Sequence, residues 1–230
     1  MKKELTIIAV SDIKIKRTIN SLMKSSLSLK PYKTILFSSK RIKLNNKQAD
    51  IIDLIKVNRI NSIEEYSSFI IYKLFNYIQT SHILIVQWDG FVINPKKWDS
   101  EFLKYDFIGA PFVPRDNDEK YCRDKNGAFY SVGNGGFSIR SRRLLEAPSK
   151  FKLLDNKEYT NFHEDGFFSV YHRSFLESKG FIWAPFVIAN KFSIESLLSI
   201  KDLKDLPLGF HGKKIFYILF FIKIINYLKF

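Results

Sequence analysis

The segment from His82 to Asn94, which reads H-I-L-I-V-Q-W-D-G-F-V-I-N, constrains the fold more than any other part of the chain. The apolar run within Ile83–Gln87 predicts a strand buried on both faces, as in a parallel sheet covered by helices. This strand stops at Trp88-Asp89-Gly90. Because open α/β sheets bind ligands beyond the carboxyl ends of their strands, the Asp89 carboxylate is well placed for a cation or a sugar hydroxyl. A plain Asp-Gly turn remains an equal alternative on these residues alone.

Strand and helix patterns alternate along the rest of the chain, which predicts an α/β protein. Further strands are predicted at Leu5–Val10, Lys33–Phe37, Leu54–Val57, Phe107–Pro111 and Phe181–Ala184. Helices are predicted at Ile13–Leu27, from the capping box at Ser62 and Glu65 to about Gln79, from near Ser141, and from about Gly166 to Gly180. The polar stretch Val113–Tyr130 predicts a mobile loop beside the site, and Leu206–Gly212 predicts an extended segment. No glycine fingerprint of the dinucleotide or P-loop type follows the first strand, so the sequence excludes those two classes.

The composition of the chain limits which kinds of partner and site we expect. The formal net charge of +14 is compatible with nucleic acid, an anionic membrane surface or phosphate-bearing substrates. The basic residues are spread along the chain without a recognised nucleic-acid-binding motif, so we expect no nucleic-acid partner. The single cysteine, Cys122, excludes an internal disulfide and a cysteine-rich zinc site. The six-residue apolar run near the N-terminus is too short for a signal peptide, which predicts a cytoplasmic protein.

Three polar clusters follow predicted strands or open helices: Gln87 with Asp89, Glu164 with Asp165, and His211. Carboxylate and imidazole are ordinary ligands of Mn²⁺ or Mg²⁺, and a carboxylate outside the metal site can act as a general base. Each cluster also has a structural explanation. The acidic pair suits a helix N-terminus, His211 suits a hydrogen-bonded loop, and Gly133–Gly136 suits a tight hairpin turn.

The motifs together are more specific than each one alone. Between about Leu5 and Gly212 the chain contains, in this order, Q-W-D-G-F, G-A-P-F, V-G-N-G-G-F-S-I-R-S, H-E-D-G-F-F and L-G-F-H-G. This ordered set resembles the small bacterial glycosyltransferase-like proteins long filed as a domain of unknown function, which are similar to inverting glycosyltransferases of the GT-A fold. The resemblance implies a single GT-A-like (Rossmann-like) α/β domain over residues 1–212, with a mixed, mainly parallel central sheet flanked by helices. It also implies transfer of a hexose, with inversion and a divalent cation (Mn²⁺ or Mg²⁺), from a nucleotide sugar such as a UDP-sugar to a hydroxyl of a cell-surface glycan.

The resemblance also implies roles for individual residues. Asp165 matches the catalytic base, and Glu164 would orient the acceptor or the sugar. Asp89 and His211 match the metal ligands, whereas Gln87 replaces the first acid of the D-x-D motif, which leaves a strict metal requirement open. The donor is expected at Val10, Ser11, Asp12, Gln87, Trp88, Gly90 and Lys213. The acceptor or sugar is expected at Asn134, Gly135, Gly136, Arg140 and His163.

The C-terminal segment Lys213–Phe230 predicts an amphipathic helix rich in lysine and aromatic residues. Its longest uncharged stretch, Ile215–Ile222, is too short to span a bilayer. Lysine with aromatics suits an anionic membrane interface, and docking on the enzyme or on a partner subunit is the alternative. We therefore expect peripheral contact with the cytoplasmic face of the inner membrane and a lipid-linked or other glycan acceptor. A non-catalytic glycan- or nucleotide-binding module and a basic nucleic-acid-binding protein remain as alternative functions.

Overall fold

A six-stranded sheet forms the centre of the structure. The computed structural model describes residues 2–112, 122–124, 126–154, 163–195 and 205–219. The strands of this sheet are β1 (Lys2–Val10), β2 (Pro31–Ser38), β3 (Asp53–Lys56), β4 (His82–Ile85), β5 (Phe107–Ile108) and β6 (Ser138–Ser141). Their order is β3-β2-β1-β4-β6-β5; β1 runs parallel to β2 and β4, β2 runs parallel to β3, and β6 is antiparallel to β4 and β5. The α/β class with a mixed, mainly parallel sheet is therefore confirmed.

Helices cover both faces of the sheet. Alternate residues of β1 point to opposite sides and are apolar, so both faces must be buried. Ile7 packs in the same apolar cluster as Ile19 and Leu22 of the first helix, and Ile8 packs with Phe69 and neighbouring residues on the other face. The helices are α1 (Ile15–Leu29), α2 (Asn46–Ala49), α3 (Ile63–Tyr72), α4 (Arg142–Phe151), α5 (Glu164–Gly166), α6 (Arg173–Ser178), α7 (Phe186–Phe192) and α8, described over residues 213–219. Within the described ranges, no helix combines the length and the apolar character that crossing a membrane requires.

The antiparallel direction of β6 brings its first residue to the carboxyl edge of the sheet. Ser138 at the start of β6 pairs with Ile85 at the end of β4. The glycines before β6 therefore lie at the same edge as the segment that follows β4. The sequence predicts only a glycine-rich turn here, because a four-residue strand that carries a buried Arg140 lacks an apolar pattern.

A second sheet of two parallel strands completes this edge. It consists of β7 (Ser193–Ile194) and β8 (Gly209–Phe210), and Ile194 pairs with Phe210. Because the two strands are parallel and in register, the residues that follow them, Glu195 and His211, lie side by side. Gly209 also bridges Val92, which links this small sheet to the segment after β4.

Some predicted elements differ in the structure. The prediction of a strand at Phe181–Ala184 is wrong. This segment forms only one β-bridge, between Trp183 and Phe107, because the backbone N–H of Ile182 donates its hydrogen bond to the Asp106 side chain and not to a neighbouring strand. The helix predicted to Gln79 ends at Tyr72 and continues as a 3₁₀ turn at Leu74–Tyr77. The helix predicted to Gly180 contains a π-helical turn at Phe167–Tyr171 before α6. Most of the predicted mobile loop and the end of the C-terminal segment, residues 113–121, 125 and 220–230, lie outside the described residues. The division into domains stays a prediction.

Asp12 joins the loops that follow β1, β2 and β3. Its carboxylate accepts hydrogen bonds from the hydroxyl of Ser38, from the hydroxyl and backbone N–H of Ser39, and from the backbone N–H of Ile60, at 2.7 to 2.9 Å. Burial alone would raise the pKa of Asp12, but the bonds from Ile60, Ser38 and Ser39 outweigh burial and lower this pKa to about 2. The charged form therefore stabilises the edge of the sheet at which the strands end.

Replacing Asp12 with asparagine should lower the free energy of unfolding at pH 7 by about 2 kcal/mol, because hydrogen bonds to a charged acceptor are lost. Since the native pKa of Asp12 lies below its ordinary value of 3.8, this contribution is complete above about pH 4 and disappears as the pH falls towards 2. Urea unfolding of the wild type and of Asp12→Asn across this range measures the difference. The exposed Asp50→Asn serves as the control, and a difference that persists undiminished at pH 2 would contradict the assignment.

Candidate active site

A cleft of about 420 Å³ opens at the carboxyl edge of the main sheet. Its walls come from the segments after β1 and β4, the start of α3, the glycines before β6, the start of α5 and the residue after β8. The predicted site residues that line it are Val10, Ser11, Asp12, Gln87, Trp88, Gly136, His163, Glu164, Asp165 and His211. The fold thus gathers polar groups that are separated by up to two hundred residues along the chain.

His211 lies at the centre of a polar network on one side of this cleft. Its Nδ1 lies 2.9 Å from Oε1 of Glu195, and its Nε2 lies 3.2 Å from Oε1 of Gln87 and 4.0 Å from Oδ1 of Asp89. Burial lowers the pKa of His211, but the hydrogen bond and charge of Glu195, together with the charges of Asp89 and Asp165, outweigh it and raise this pKa. With a proton on each nitrogen, the ring donates to Glu195 and to Gln87.

Asp89 lies next to His211, and the two side chains together form a candidate metal site. Its carboxylate is buried, burial raises its pKa, and Oδ1 has no hydrogen-bond partner among the described residues. Within those same ranges no group of three or more histidine, cysteine or acidic side chains could hold a metal. A buried unpaired carboxylate oxygen and an imidazole nitrogen oriented by Glu195 nevertheless fit a divalent cation that takes its other ligands from water or phosphate. Asp89 and His211 are therefore the residues that would hold it.

Gly136 allows the His211 ring to lie directly against the backbone. A Cβ atom at position 136 would lie 2.1 Å from Nε2 of His211, far inside contact distance. A side chain here would force the ring away from Gln87 and Asp89. Glycine is thus required by a close approach rather than by a turn.

The second cluster consists of Glu164 and Asp165 at the first turn of α5. Asp165 is buried; its Oδ2 accepts the backbone N–H of Gly135 at 3.1 Å, and its Oδ1 accepts that of Gly166 at 2.8 Å. Glu164 pairs with the guanidinium of Arg140, whose Nη2 lies 2.7 Å from Oε1. Both acids line the cleft, but Glu164 is neutralised by an adjacent cation whereas Asp165 is held by backbone donors.

The remaining predicted site residues lie behind the cleft or beside it. Arg140 has no exposed surface and contacts Glu164 rather than the cleft. The amide of Asn134 donates to the carbonyl oxygens of Ala110 and Pro111, so it anchors the glycine segment. Gly90 lies against the His211 ring, and the ammonium of Lys213 lies 6.0 Å from the centre of the Trp88 ring.

Two residues of the site were missed by the sequence analysis. Glu195 follows a two-residue strand and carries no motif, so only the pairing of β7 with β8 reveals it. Tyr66 lines the cleft and its hydroxyl accepts a hydrogen bond from Nε2 of Gln87 at 3.3 Å. Burial, followed by the charge of Glu164, raises its pKa, so the hydroxyl stays protonated at neutral pH. The helical periodicity of α3 indicated only an apolar stripe at this position.

Gly136→Ala should lower the free energy of unfolding by about 2 kcal/mol, because the new methyl group overlaps the His211 ring. The double variant Gly136→Ala/His211→Ala removes the ring, so the alanine at position 136 should then cost little relative to His211→Ala alone. Urea unfolding of the four proteins completes this cycle. If Gly136→Ala lowers the free energy of unfolding as much in the His211→Ala background as in the wild type, the new methyl group does not overlap the His211 ring.

The chain is similar to one protein family and to solved structures of glycosyltransferases. The model of the family described as "Protein of unknown function (DUF5672)" matches residues 49–211, and no curated protein matches the chain. Among solved structures, a glycosyltransferase involved in the glycosylation of the major capsid of PBCV-1 is similar at a TM-score of 0.53 and 15% identity, over 90% of this chain and 92% of that one. This likeness shows a shared fold.

A second solved structure is more distant. The mannosyltransferase PcManGT from Pyrobaculum calidifontis, in complex with GDP-mannose and Mn²⁺, aligns at a TM-score of 0.39 and 11% identity. The alignment covers 64% of this chain and spans 46% of the mannosyltransferase. Because the family match includes more than half of the 230 residues and contains β4, the glycine segment, the acidic pair and His211, this protein belongs to the DUF5672 family.

Proposed function

We propose that this protein is an inverting glycosyltransferase that moves a hexose from a nucleotide sugar, most suitably a UDP-sugar, to a hydroxyl of a cell-surface glycan. The observation that carries the proposal is that His211 and Asp165 line one cleft at the carboxyl edge of an α/β sheet, with the buried carboxylate of Asp89 next to His211, 4.0 Å from its Nε2. Its volume of about 420 Å³ lies in the range of small-ligand sites. The fold shared with a solved glycosyltransferase is compatible with this function.

The donor diphosphate is assigned to the side of the cleft formed by His211, with the carboxylate of Asp89 next to it. These two residues would hold a divalent cation, which when bound neutralises charge that develops on the leaving diphosphate. Lys213 lies next to this side, and its charge opposes, without outweighing, the rise that burial causes in the pKa of Asp89. The nucleoside is assigned to the wall formed by Val10 and Ser11, where Ile13 and Ile63 provide apolar surface.

Asp165 is assigned the role of general base. The acceptor hydroxyl oxygen attacks the anomeric carbon, the bond from that carbon to the diphosphate oxygen breaks on the opposite side, and the hydroxyl proton passes to Asp165. Backbone N–H groups of Gly135 and Gly166 fix both carboxylate oxygens, which holds the carboxylate in one orientation at the wall of the cleft. Glu164 is less suited to this role because Arg140 already occupies its Oε1; its place is to orient the acceptor or the sugar.

The acceptor is proposed from the family resemblance and from the charge of the protein. We propose lipopolysaccharide, capsule or a similar glycan as the acceptor, met at the cytoplasmic face of the inner membrane. A protein of net charge +14 is attracted to acceptors that carry negative charge and to anionic lipid. His163, which lines the cleft next to the acidic pair, is assigned to the acceptor side.

Asp165→Asn should reduce kcat for sugar transfer by about a hundredfold to ten-thousandfold, because the base is lost while its shape is kept. Donor affinity, measured by thermal shift with UDP-, GDP-, CMP- and dTDP-sugars with and without Mn²⁺, should stay within about twofold, since Asp165 is assigned to the acceptor hydroxyl and not to the donor diphosphate. Asp53→Asn, an exposed substitution, is the matched control.

Near-normal turnover of Asp165→Asn would reject the base assignment. A wild type that binds a donor but transfers no sugar to any acceptor would identify the protein as a non-catalytic nucleotide-sugar-binding module instead.

Glu195 provides a test of the metal site that does not depend on turnover. Binding of Mn²⁺ needs an unprotonated Nε2 on His211, and the raised pKa of His211 means that affinity should increase as the pH rises through this pKa. Glu195→Gln keeps a hydrogen-bond acceptor but removes the charge, so the pH midpoint of Mn²⁺ binding should shift downwards. Glu195→Ala releases the ring and should weaken binding by about tenfold or more at every pH.

Electron paramagnetic resonance of free Mn²⁺ during titration between about pH 5.5 and 8.5, a range that brackets an ordinary histidine pKa, measures these affinities. Equal Mn²⁺ affinity and an equal pH midpoint in the wild type and both variants would remove Glu195 and His211 from the metal site.

A further inference from the structure

Two long segments of the chain contain no acidic residue at all. Residues 13–49 contain ten lysines or arginines, and residues 206–230 contain four lysines, yet neither segment contains aspartate or glutamate. The formal excess of positive charge in the protein is therefore concentrated in two stretches that are far apart in sequence.

The fold brings the helices of these two segments together on one side of the main sheet. The guanidinium of Arg17 on α1 lies 5.4 Å from the ring centre of Trp88 and 5.8 Å from that of Phe216 on α8. The ammonium groups of Lys14 and Lys213 lie over the same Trp88 ring, at 4.5 and 6.0 Å. Trp88 and Phe216 thus join α1 to α8. We call this surface the basic face; its exposed cations are Lys14, Lys16, Arg17, Lys24, Lys213 and Lys214.

Three cations of the basic face, Lys14, Arg17 and Lys213, form no ion pair with the described residues. Their contacts with Trp88 are cation–π contacts, which do not cancel the positive charge; the charge of Lys213 also acts on the carboxylate of Asp89. An anionic partner would gain from this field.

Exposed apolar side chains accompany these cations. Ile13 is 65% exposed, Leu27 is 51% exposed and Tyr217 is 44% exposed, and all three lie on α1, on α8 or immediately before α1. Cations mixed with exposed aliphatic and aromatic side chains suit a lipid interface, in which the chains enter the headgroup region. A nucleic-acid surface would match the charge but would leave these apolar groups in water.

We infer that the basic face docks on an anionic phospholipid bilayer, with α1 contributing as much as the C-terminal helix. Ile13 belongs both to this face and to the wall of the cleft, so docking would bring the mouth of the cleft to the membrane surface. This orientation would bring the cleft within reach of a lipid-linked glycan. The access of the acceptor rests on the proposed function, whereas the docking itself does not.

The test uses flotation of the full chain with vesicles of phosphatidylcholine alone or with roughly 30% phosphatidylglycerol at low salt. The triple variant Lys16→Glu/Lys24→Glu/Lys214→Glu alters the basic face without touching the cleft. Lys73→Glu/Lys150→Glu/Lys179→Glu changes exposed lysines on other surfaces and lowers the formal net charge by the same six units. Each basic residue at a charged membrane contributes about fivefold to binding, so the first variant, which also introduces three repelled carboxylates, should lose at least about a hundredfold and the second little.

Wild-type binding that requires phosphatidylglycerol, weakens with salt and fails only in the first variant supports the inference. Equal loss in both variants, binding to phosphatidylcholine alone, or no binding at all overturns it. Stronger binding to a short DNA duplex than to the vesicles at equal salt would instead assign the face to nucleic acid. Transfer to a soluble acceptor should be equal in both variants and in the wild type, so a failure of docking is separable from a failure of the proposed transfer.

Discussion

The pairing of β4 with β6 is the constraint on which the site depends. In this pairing Ser138 lies opposite Ile85, and the antiparallel direction turns the glycine segment back towards the end of β4. Only then can Gly136 face His211, and only then can the backbone N–H of Gly135 reach Asp165. A parallel strand at this position would send the same glycines to the opposite edge of the sheet. The direction of one short strand therefore determines whether the polar groups meet.

The buried ion pair of Arg140 and Glu164 serves to position Glu164 more than to stabilise the fold. Transfer of two charges from water is costly, and the attraction between them offsets that cost only with good geometry. Arg140 gains the 2.7 Å contact to Glu164, a bond from its Nε to Ser138, and ring contacts with Phe107 and Phe168. The pair thus fixes Glu164 beside Asp165 and neutralises one of the two adjacent carboxylates. This difference in environment separates the roles of two acids that are neighbours in sequence.

Much of the fold was predictable because its signals are local. The buried run before Asp89 and the helical spacing of Ile19 and Leu22 predict a strand and a helix from a few adjacent residues. Ser62 likewise marks the start of α3 as its N-cap, since its hydroxyl accepts the N–H of Glu65, but the Glu65 carboxylate accepts the N–H of Asn61 instead of closing the predicted capping box at Ser62. The strands β6 and β7 were not predictable, and the extended segment predicted at Leu206–Gly212 did not indicate that β8 pairs with β7, since two to four residues contain too little pattern and their pairing partners lie far away in sequence. The role of Glu195 was not predictable for the same reason, because its position beside His211 depends on the pairing of β7 with β8.

The sequence by itself determined the chemistry that is available: an aspartate after a buried strand, an acidic pair before an aromatic run, a histidine between glycines, and a positive charge concentrated in two acid-free segments. Only the tertiary structure decided which of these groups share a cleft, which stand behind it, and which helices form one basic face. The reason is physical. Residue type and local spacing follow from the covalent chain, whereas distances between side chains depend on strand direction, register and helix packing, which are set by burial of apolar surface across the whole molecule.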